Sequence, residues 1–348
     1  MIDLKLLERL SNTDGISARE NKVNEVLYDE LKEYSDEISY DNLGSIIFKK
    51  KGECDKPKIM IAAHTDEVGF MVKNIDDLGF IHVIMIGRIR DKGFFLQEVR
   101  ITTKEGDKVI GIINGEIDSN TNEPKDIYID IGAKNREDVW NLGIRPGDMV
   151  TYTSEFKKYK LENIVAGKAF DDRLGCYILS EVMKKLKDLK HKNTVYGVGT
   201  ACEEIGTRGG KTAAYKVNPD ICFVIDVACA RDQRIRNYSN NRQIGKGPMI
   251  ISFDRTLTPR RKWTDIIIEK CNELKIDFQY DMFSRGGTDG GSVHLTNEGI
   301  PTVAICIPVR YGHCNYSILN VKDLENTINL LIEIIKDLDK ENIKNLNK

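Results

Sequence analysis

The sequence predicts an α/β fold, a mixed sheet flanked by helices, with a β-rich insert interrupting it. Three observations carry this reading. After Gly167, strand-like apolar runs alternate with long amphipathic helical patterns, the alternation of an α/β architecture. Lys58-Ile59-Met60-Ile61-Ala62-Ala63 is a continuous apolar run of the kind a strand buried on both faces requires. Between about Glu67 and Asn163, short alternating segments separated by glycines and charged turns replace that pattern.

In chain order, Leu4, Leu7 and Leu10 fall at helical spacing, and Ser17-Ala18-Arg19-Glu20 reads as a capping box opening a second helix that carries Val23, Val26, Leu27 and Leu31. From Ile38 the pattern turns to strand, through Ser45-Ile46-Ile47-Phe48 and the run ending at Ala63, and stops abruptly at His64-Thr65-Asp66-Glu67. In the next block, segments such as Phe80-Ile81-His82-Val83, Val99-Arg100-Ile101-Thr102 and Asp126-Ile127-Tyr128-Ile129 suit a small β-barrel or a sandwich, with one short helical pattern near Asn135 to Trp140. Beyond it, helices are expected at about 172–188, 208–215, 261–274 and 322–338, and strands at 194–201, 220–227 and 301–307. The Lys/Asn-rich end after Asp339 reads as a fraying helix tail. Residues 1–66 and 163–348 would thus form one α/β domain, and 67–162 an insert.

Composition narrows the partners. Forty-one per cent hydrophobic residues supports a sizeable core, and 348 residues suit two domains. With 52 Lys plus Arg against 54 Asp plus Glu, no basic field exists to hold a phosphate backbone, so nucleic acid is not expected. No run approaches the roughly 20 apolar residues of a membrane helix, and Met1-Ile2-Asp3-Leu4-Lys5 lacks a secretory profile. A cytoplasmic address is expected, and the eight scattered cysteines, without a CxxC pair, agree with it.

The chemistry is expected where polar residues close the apolar strands, since open α/β sheets bind ligands outside the carboxyl ends of their strands. His64-Thr65-Asp66, Glu203-Glu204, Asp226 and Arg310-Tyr311-Gly312-His313 stand at four such ends, and Asp171-Asp172-Arg173 precedes a helix. Singly, an acidic pair flanks a helix start and a histidine fills a core. Together, so much buried like charge calls for a cation, and a pair of divalent ions supplies it. The strand period of two places His64 and Asp66 on one face, so Asp66 can orient an imidazole that binds metal. Adjacent Glu203 and Glu204 diverge, so one can reach the ions while its neighbour faces substrate as a base. His82, His191 and His294 read as structural or exposed.

Six segments, Ala63-His64-Thr65-Asp66-Glu67-Val68-Gly69-Phe70, Gly167-Lys168-Ala169-Phe170-Asp171-Asp172-Arg173, Glu203-Glu204-Ile205-Gly206-Thr207-Arg208-Gly209, Ile225-Asp226-Val227, Gly287-Thr288-Asp289 and Ile307-Pro308-Val309-Arg310-Tyr311-Gly312-His313, resemble in type and order the motifs of the tetrahedral aminopeptidases, dinuclear metallopeptidases that include glutamyl aminopeptidases. The resemblance runs across nearly the whole chain. It implies that His64 and Asp226 hold one ion, Glu204 and His313 the other, and Asp171 bridges both, with Asp66 orienting His64 and Glu203 as general base. It implies two divalent ions per subunit, zinc or cobalt, a zinc-peptidase-like catalytic domain, an inserted β-barrel used for dimerisation, peptide substrates, and a homododecamer built from dimers. The sequence departs from the family pattern at Cys202, Gly312 and Cys314-Asn315. The two cysteines read as core residues, with a softer metal or an oxidation-sensitive site as the alternative.

Other readings remain at this stage: a dinuclear deacylase or carboxypeptidase, a glycan hydrolase with paired carboxylates, and a non-catalytic metal-bound scaffold. Side-chain preference would be set by loops such as 228–247 and 254–262, whose Arg231, Arg234, Arg236, Arg255, Arg260 and Arg261 would suit acidic residues unless they are solvated surface.

Overall fold

A computed structural model describes residues 2–90, 93, 95–118, 124–230 and 242–347. The chain opens with α1 (Leu4–Asn12) and α2 (Asn21–Leu31), then β1 (Glu37–Tyr40), β2 (Ile46–Lys50) and β3 (Lys58–His64). Next come β4 (Gly69–Ile75), β5 (Ile81–Ile86), β6 (Gln97–Thr102), β7 (Lys108–Ile117), β8 (Pro124–Asp130), α3 (Arg136–Asn141) and β9 (Met149–Tyr152). Return to the α/β part runs through β10 (Lys157–Lys158), β11 (Ile164–Gly167), α4 (Phe170–Leu186), β12 (Thr194–Thr200), α5 (Arg208–Val217) and β13 (Ile221–Ala230). The remainder is β14 (Met249–Phe253), α6 (Arg261–Leu274), β15 (Gln279–Met282), α7 (Gly290–Val293), β16 (Thr302–Arg310), β17 (Ser317–Asn320), α8 (Val321–Asp337) and α9 (Lys340–Leu346).

Among the described residues, eleven strands form one mixed sheet in the order β1-β2-β12-β3-β13-β16-β17-β11-β10, with β14 on β16 and β15 on β14. Its centre, β12-β3-β13-β16, is parallel. Alternation along each central strand divides the core in two. Ile59, Ile61 and Ala63 face the layer built from α1, α2, α4, α6 and α8, while Met60 and Ala62 face Ala213 and Ala214 of α5 and Val293 of α7. This is the period of two expected of a strand covered on both sides.

The β-rich block closes as a barrel, β4-β5-β8-β7-β6-β9, rather than a sandwich. Phe70, Val72, Val99, Ile101, Ile113, Ile129 and Val150 fill it, and Val139 of α3 packs against that core. Closure leaves no unpaired edge. Lys157-Lys158, inside the stretch expected as insert, pairs with Ala166 and Val165 in the large sheet instead.

Two local expectations are corrected. Ser17 does not cap α2: Glu20 takes the N-cap position, and the Ser17 hydroxyl donates to Asp66 Oδ2 at 2.5 Å. The tail after Asp339 is not a frayed continuation of α8 but a separate helix, with Asp339 accepting from the N–H groups of Glu341 and Asn342 and Ile343 buried against the core.

Candidate metal centre and active site

The parallel strands deliver their carboxyl ends to one crevice. His64 is the last residue of β3, opposite Thr200, the last of β12. On the other side, β13 pairs with β3 only as far as Val224↔Ala62 but continues along β16 to Ala230. Asp226 therefore lies inside a strand, not at its end, at the point where β13 separates from β3. That split opens the crevice, as strand ends do in open α/β sheets.

Asp171 lies at the start of α4, where it and Asp172 depart from helical backbone angles and the peptide between them is cis. The two side chains part. Asp172 is fully buried and accepts the N–H groups of His64 (3.2 Å) and Gly175 (2.9 Å). Asp171 enters the crevice, where Oδ1 lies 3.1 Å from His64 Nε2 and Oδ2 lies 3.0 Å from His313 Nε2. Both imidazoles are held from behind by a backbone carbonyl: His64 Nδ1 lies 3.0 Å from the oxygen of Asp66, and His313 Nδ1 lies 2.6 Å from that of Arg88. A carbonyl only accepts, so each Nδ1 carries a proton, and each ring in its neutral form would present its lone pair at Nε2.

The Asp66 carboxylate lies 3.4 Å from His64 Nδ1 at Oδ1, and its close contacts are elsewhere. Oδ1 accepts the N–H of Glu203 at 3.0 Å, and Oδ2 accepts that of Glu204 at 3.1 Å together with the Ser17 hydroxyl. One buried carboxylate thus pins the dipeptide whose two side chains enter the cleft. Ser17 stood out in the sequence only as a helix cap and Arg88 not at all; a local serine motif and a backbone carbonyl carry no signal of distant partners.

Two groups of ligand atoms result, one from His64, Asp171 and Asp226, the other from Asp171, Glu204 and His313, each within 4.8 Å of one another. All five residues expected to hold metal fall in them, with Asp171 common to both. Burial opposes charge on the imidazoles, but Asp171 and Asp66 at His64, and Glu204 and Asp171 at His313, raise both well above the ordinary histidine range. Burial would raise Asp171 too, yet its hydrogen bonds to His313 and His64 outweigh it and hold the carboxyl below the usual range. Glu203 and Asp226 are pushed well up, by burial first and then by neighbouring carboxylates against the pull of His64. Glu204 is pushed up to about 7, by burial first, with Asp171 adding repulsion.

Divalent ions fit this donor set. Glu204 Oε1 is buried and accepts no hydrogen bond, an expensive state for a carboxylate oxygen. Imidazole nitrogens and carboxylate oxygens are the ligands of zinc and similar ions. Cys202 and Cys314 belong to neither group, and burial pushes the Cys202 thiol up to about 12. Among the other histidines, His82 pairs with Asp76 at 2.9 Å, buried His191 turns Nδ1 to Asn193, and His294 turns Nδ1 to the Gly290 carbonyl. None joins the centre.

Comparison with known proteins agrees with this geometry. Residues 44–330 match the M42 glutamyl aminopeptidase family. The chain belongs to that family. A TET aminopeptidase from the marine sediment archaeon Thaumarchaeota archaeon SCGC AB-539-E09 is 35% identical to this M42 chain, with 99% of this chain and 98% of that one covered and a TM-score of 0.93. A Pyrococcus horikoshii peptidase that can assemble into a tetrahedron or a large octahedral shell is 26% identical, with 96% and 99% covered and a TM-score of 0.85. The lysyl aminopeptidase of Pyrococcus furiosus is 29% identical over 97% of this chain and 99% of its own. The M42 chain is thus a peptidase, and aminopeptidase is the activity its relatives are named for.

The cleft of this M42 peptidase encloses about 770 Å³ and is lined by Asp171, Glu203, Glu204, Asp226 and His313, with Arg88, Arg90, Arg242 and Arg285 around them. Of the arginines expected from sequence, Arg231, Arg234 and Arg236 lie outside the described residues. Arg255, Arg260 and Arg261 do not line the cleft; Arg260 and Arg261 sit at the start of α6. Arg242 is committed to Asp281, at 2.9 Å. Two of the remaining guanidiniums, Arg88 and Arg90, come from the insert.

Proposed function

We propose that the chain is a metal-dependent aminopeptidase that releases N-terminal amino acids from peptides. Two divalent ions, zinc or cobalt, would be held by His64 and Asp226 and by Glu204 and His313, with Asp171 shared. The observation that carries the reading is the placement of the two Asp171 oxygens, one against each imidazole Nε2, in two overlapping groups of three ligands.

When bound, such a pair of ions supplies Lewis acidity to the scissile carbonyl and lowers the pKa of water toward neutrality. The chain's own residues do the rest. Glu203 lines the cleft with its backbone fixed on Asp66; as general base it takes the proton of the attacking water and returns it to the leaving amine. Asp66 keeps Glu203 and Glu204 in register, and Asp66 and Arg88 hold the two imidazoles with Nε2 forward.

By this reading, residues 1–66 and 163–348 are the catalytic unit and 67–162 a barrel through which subunits pair. The shell-forming relative and a neighbour solved as a dodecamer support a homo-oligomer, for which the form we propose is a cytoplasmic dodecamer built from dimers. Matched peptides with free and acetylated N-termini test the activity in the presence of zinc, cobalt and manganese. Release of the first residue from the free form alone, abolished by chelator, is expected. Preference for the acetylated form would transfer the reading to a deacylase, and cleavage that survives chelation would end it. Sedimentation should show a particle many times 39.5 kDa, and a monomer at every concentration would sink the assembly.

A further inference from the structure

Past Ile86 of β5 the chain leaves the barrel and crosses to the mouth of the cleft. There the Arg88 carbonyl oxygen receives His313 Nδ1 at 2.6 Å, and the Arg90 N–H donates to the His313 carbonyl at 3.0 Å. The ring is clamped from both sides of its residue, with Nε2 turned toward Asp171 Oδ2 (3.0 Å) and Glu204 Oε1 (3.6 Å). One step earlier, Gly87 sits against Glu204. A Cβ at position 87 would lie 3.1 Å from Glu204 Oε2, 3.2 Å from Glu204 Cβ and 2.8 Å from Val68 Cγ1, on a backbone with φ of +74°. Three residues of the insert, Gly87, Arg88 and Arg90, therefore lie against the two ligands that the second group does not share with the first.

The first group is held differently. His64 turns Nδ1 to the Asp66 carbonyl and takes Asp172 on its N–H, and Asp226 accepts from the N–H of Val227. Among the described residues these bonds stay within the α/β part. The barrel in turn is seated on that part by buried charge: Asp14 accepts from Arg100 of β6 (2.6 and 2.8 Å), Lys108 of β7 (2.9 Å) and Thr151 of β9 (2.9 Å).

We propose that the Gly87–Arg90 stretch is a working part of the second metal subsite, fixing the tautomer and direction of His313 and the position of Glu204, so that affinity for the second ion depends on how the barrel is seated. Outer partners of metal ligands are typically worth tenfold to a hundredfold in affinity. This inference rests on the two-ion reading above.

Cobalt titration of the metal-free protein, followed by visible absorption, tests it in Gly87→Ala, with Gly132→Ala as control. Gly132 has φ of +76° and nothing within 4 Å of its added Cβ, so it imposes the same backbone strain on the barrel without touching the site. Wild type and Gly132→Ala should take up two equivalents. Gly87→Ala should bind the first within about twofold of wild type and the second at least tenfold more weakly, while its metal-free form unfolds cooperatively, at a lower temperature than Gly132→Ala because its Cβ also meets Val68. Arg90→Pro, which deletes the N–H on the His313 carbonyl, should give the same split and decides the matter if Gly87→Ala does not fold. Two equivalents bound as tightly as in wild type, or both weakened equally, would overturn the proposal and leave the two-ion reading standing. A wild-type chain that takes up no cobalt would overturn both.

Discussion

Asp66 Oδ1 accepts the backbone N–H of Glu203 at 3.0 Å, so the carboxylate that follows one strand end sets the position of the proposed base that follows another. Its second oxygen holds Glu204 and Ser17. A carboxylate can satisfy all these donors because it only accepts. In Asp66→Asn the amide nitrogen must turn toward an N–H or the Ser17 hydroxyl, and the Glu203-Glu204 dipeptide shifts. Turnover on aminoacyl substrates should fall about tenfold to a hundredfold, with near-native unfolding. Unchanged kinetics would show that the dipeptide is held by something else.

Glu203→Gln separates proton transfer from metal binding, because Glu203 is in neither ligand group. The variant should retain two ions by metal analysis and lose about a hundredfold to ten-thousandfold in kcat. Near-normal rates, or an emptied site, would count against the base assignment. Asp171→Ala removes the one carboxylate common to both groups, and metal analysis should find both ions lost or scrambled. Full occupancy would refute the shared role.

The central strands, the long helices and the interruption of the α/β domain were legible because each is written in a local period, two for strands and 3.6 for helices. Of the five candidate ligands, His64, Glu204 and His313 stand at or just past apolar strands, whereas Asp171 opens α4 and Asp226 lies inside β13, and their division into two sets came from the family resemblance. Barrel closure was not legible, because an alternating strand states only that one face is covered, and a sandwich satisfies that equally. Short strands such as Lys157-Lys158 and Ser317–Asn320 carry too few residues to show a period. Ser17 misled because a serine three residues before a glutamate has the same pattern whether it caps a helix or reaches Asp66 across the fold. The hold of Arg88 on His313 uses a main-chain oxygen, which no side-chain pattern records.

Lys168 illustrates a buried charge invisible in sequence. It reaches both oxygens of Glu67, at 2.6 and 2.8 Å, and Asp14 at 3.3 Å, and all three residues are nearly inaccessible. Lys168→Met would leave Glu67 with only the Gly15 N–H and Arg173 near it. Removing one partner of a buried pair costs about 3–5 kcal/mol, and urea unfolding of the metal-free protein should show a loss of that order. A change under about 1 kcal/mol would mean that water or a rearranged Arg173 replaces the ammonium.

Asp323, in the first turn of α8, gives the pH dependence a definite sign. Its carboxylate is buried and accepts the N–H groups of Gly245 and Gly247 at 2.6 and 2.8 Å. Burial outweighs those bonds and pushes the carboxyl from 3.8 up to about 6. A group whose pKa is higher in the folded state binds its proton more tightly there. Its contribution is therefore fully favourable below pH 3.8, declines as pH rises through about 6, and is gone above it. In Asp323→Asn the side chain stays neutral at every pH and can still accept from one glycine. The stability of this variant relative to wild type should climb between pH 4 and pH 7 by an amount on the order of 2 kcal/mol, one pKa unit being about 1.4 kcal/mol. Urea unfolding of both metal-free proteins at several pH values in that window measures the difference directly, with the candidate metal ligands common to both. A constant difference across the window would show that the two glycine N–H groups hold Asp323 ionised at its ordinary pKa.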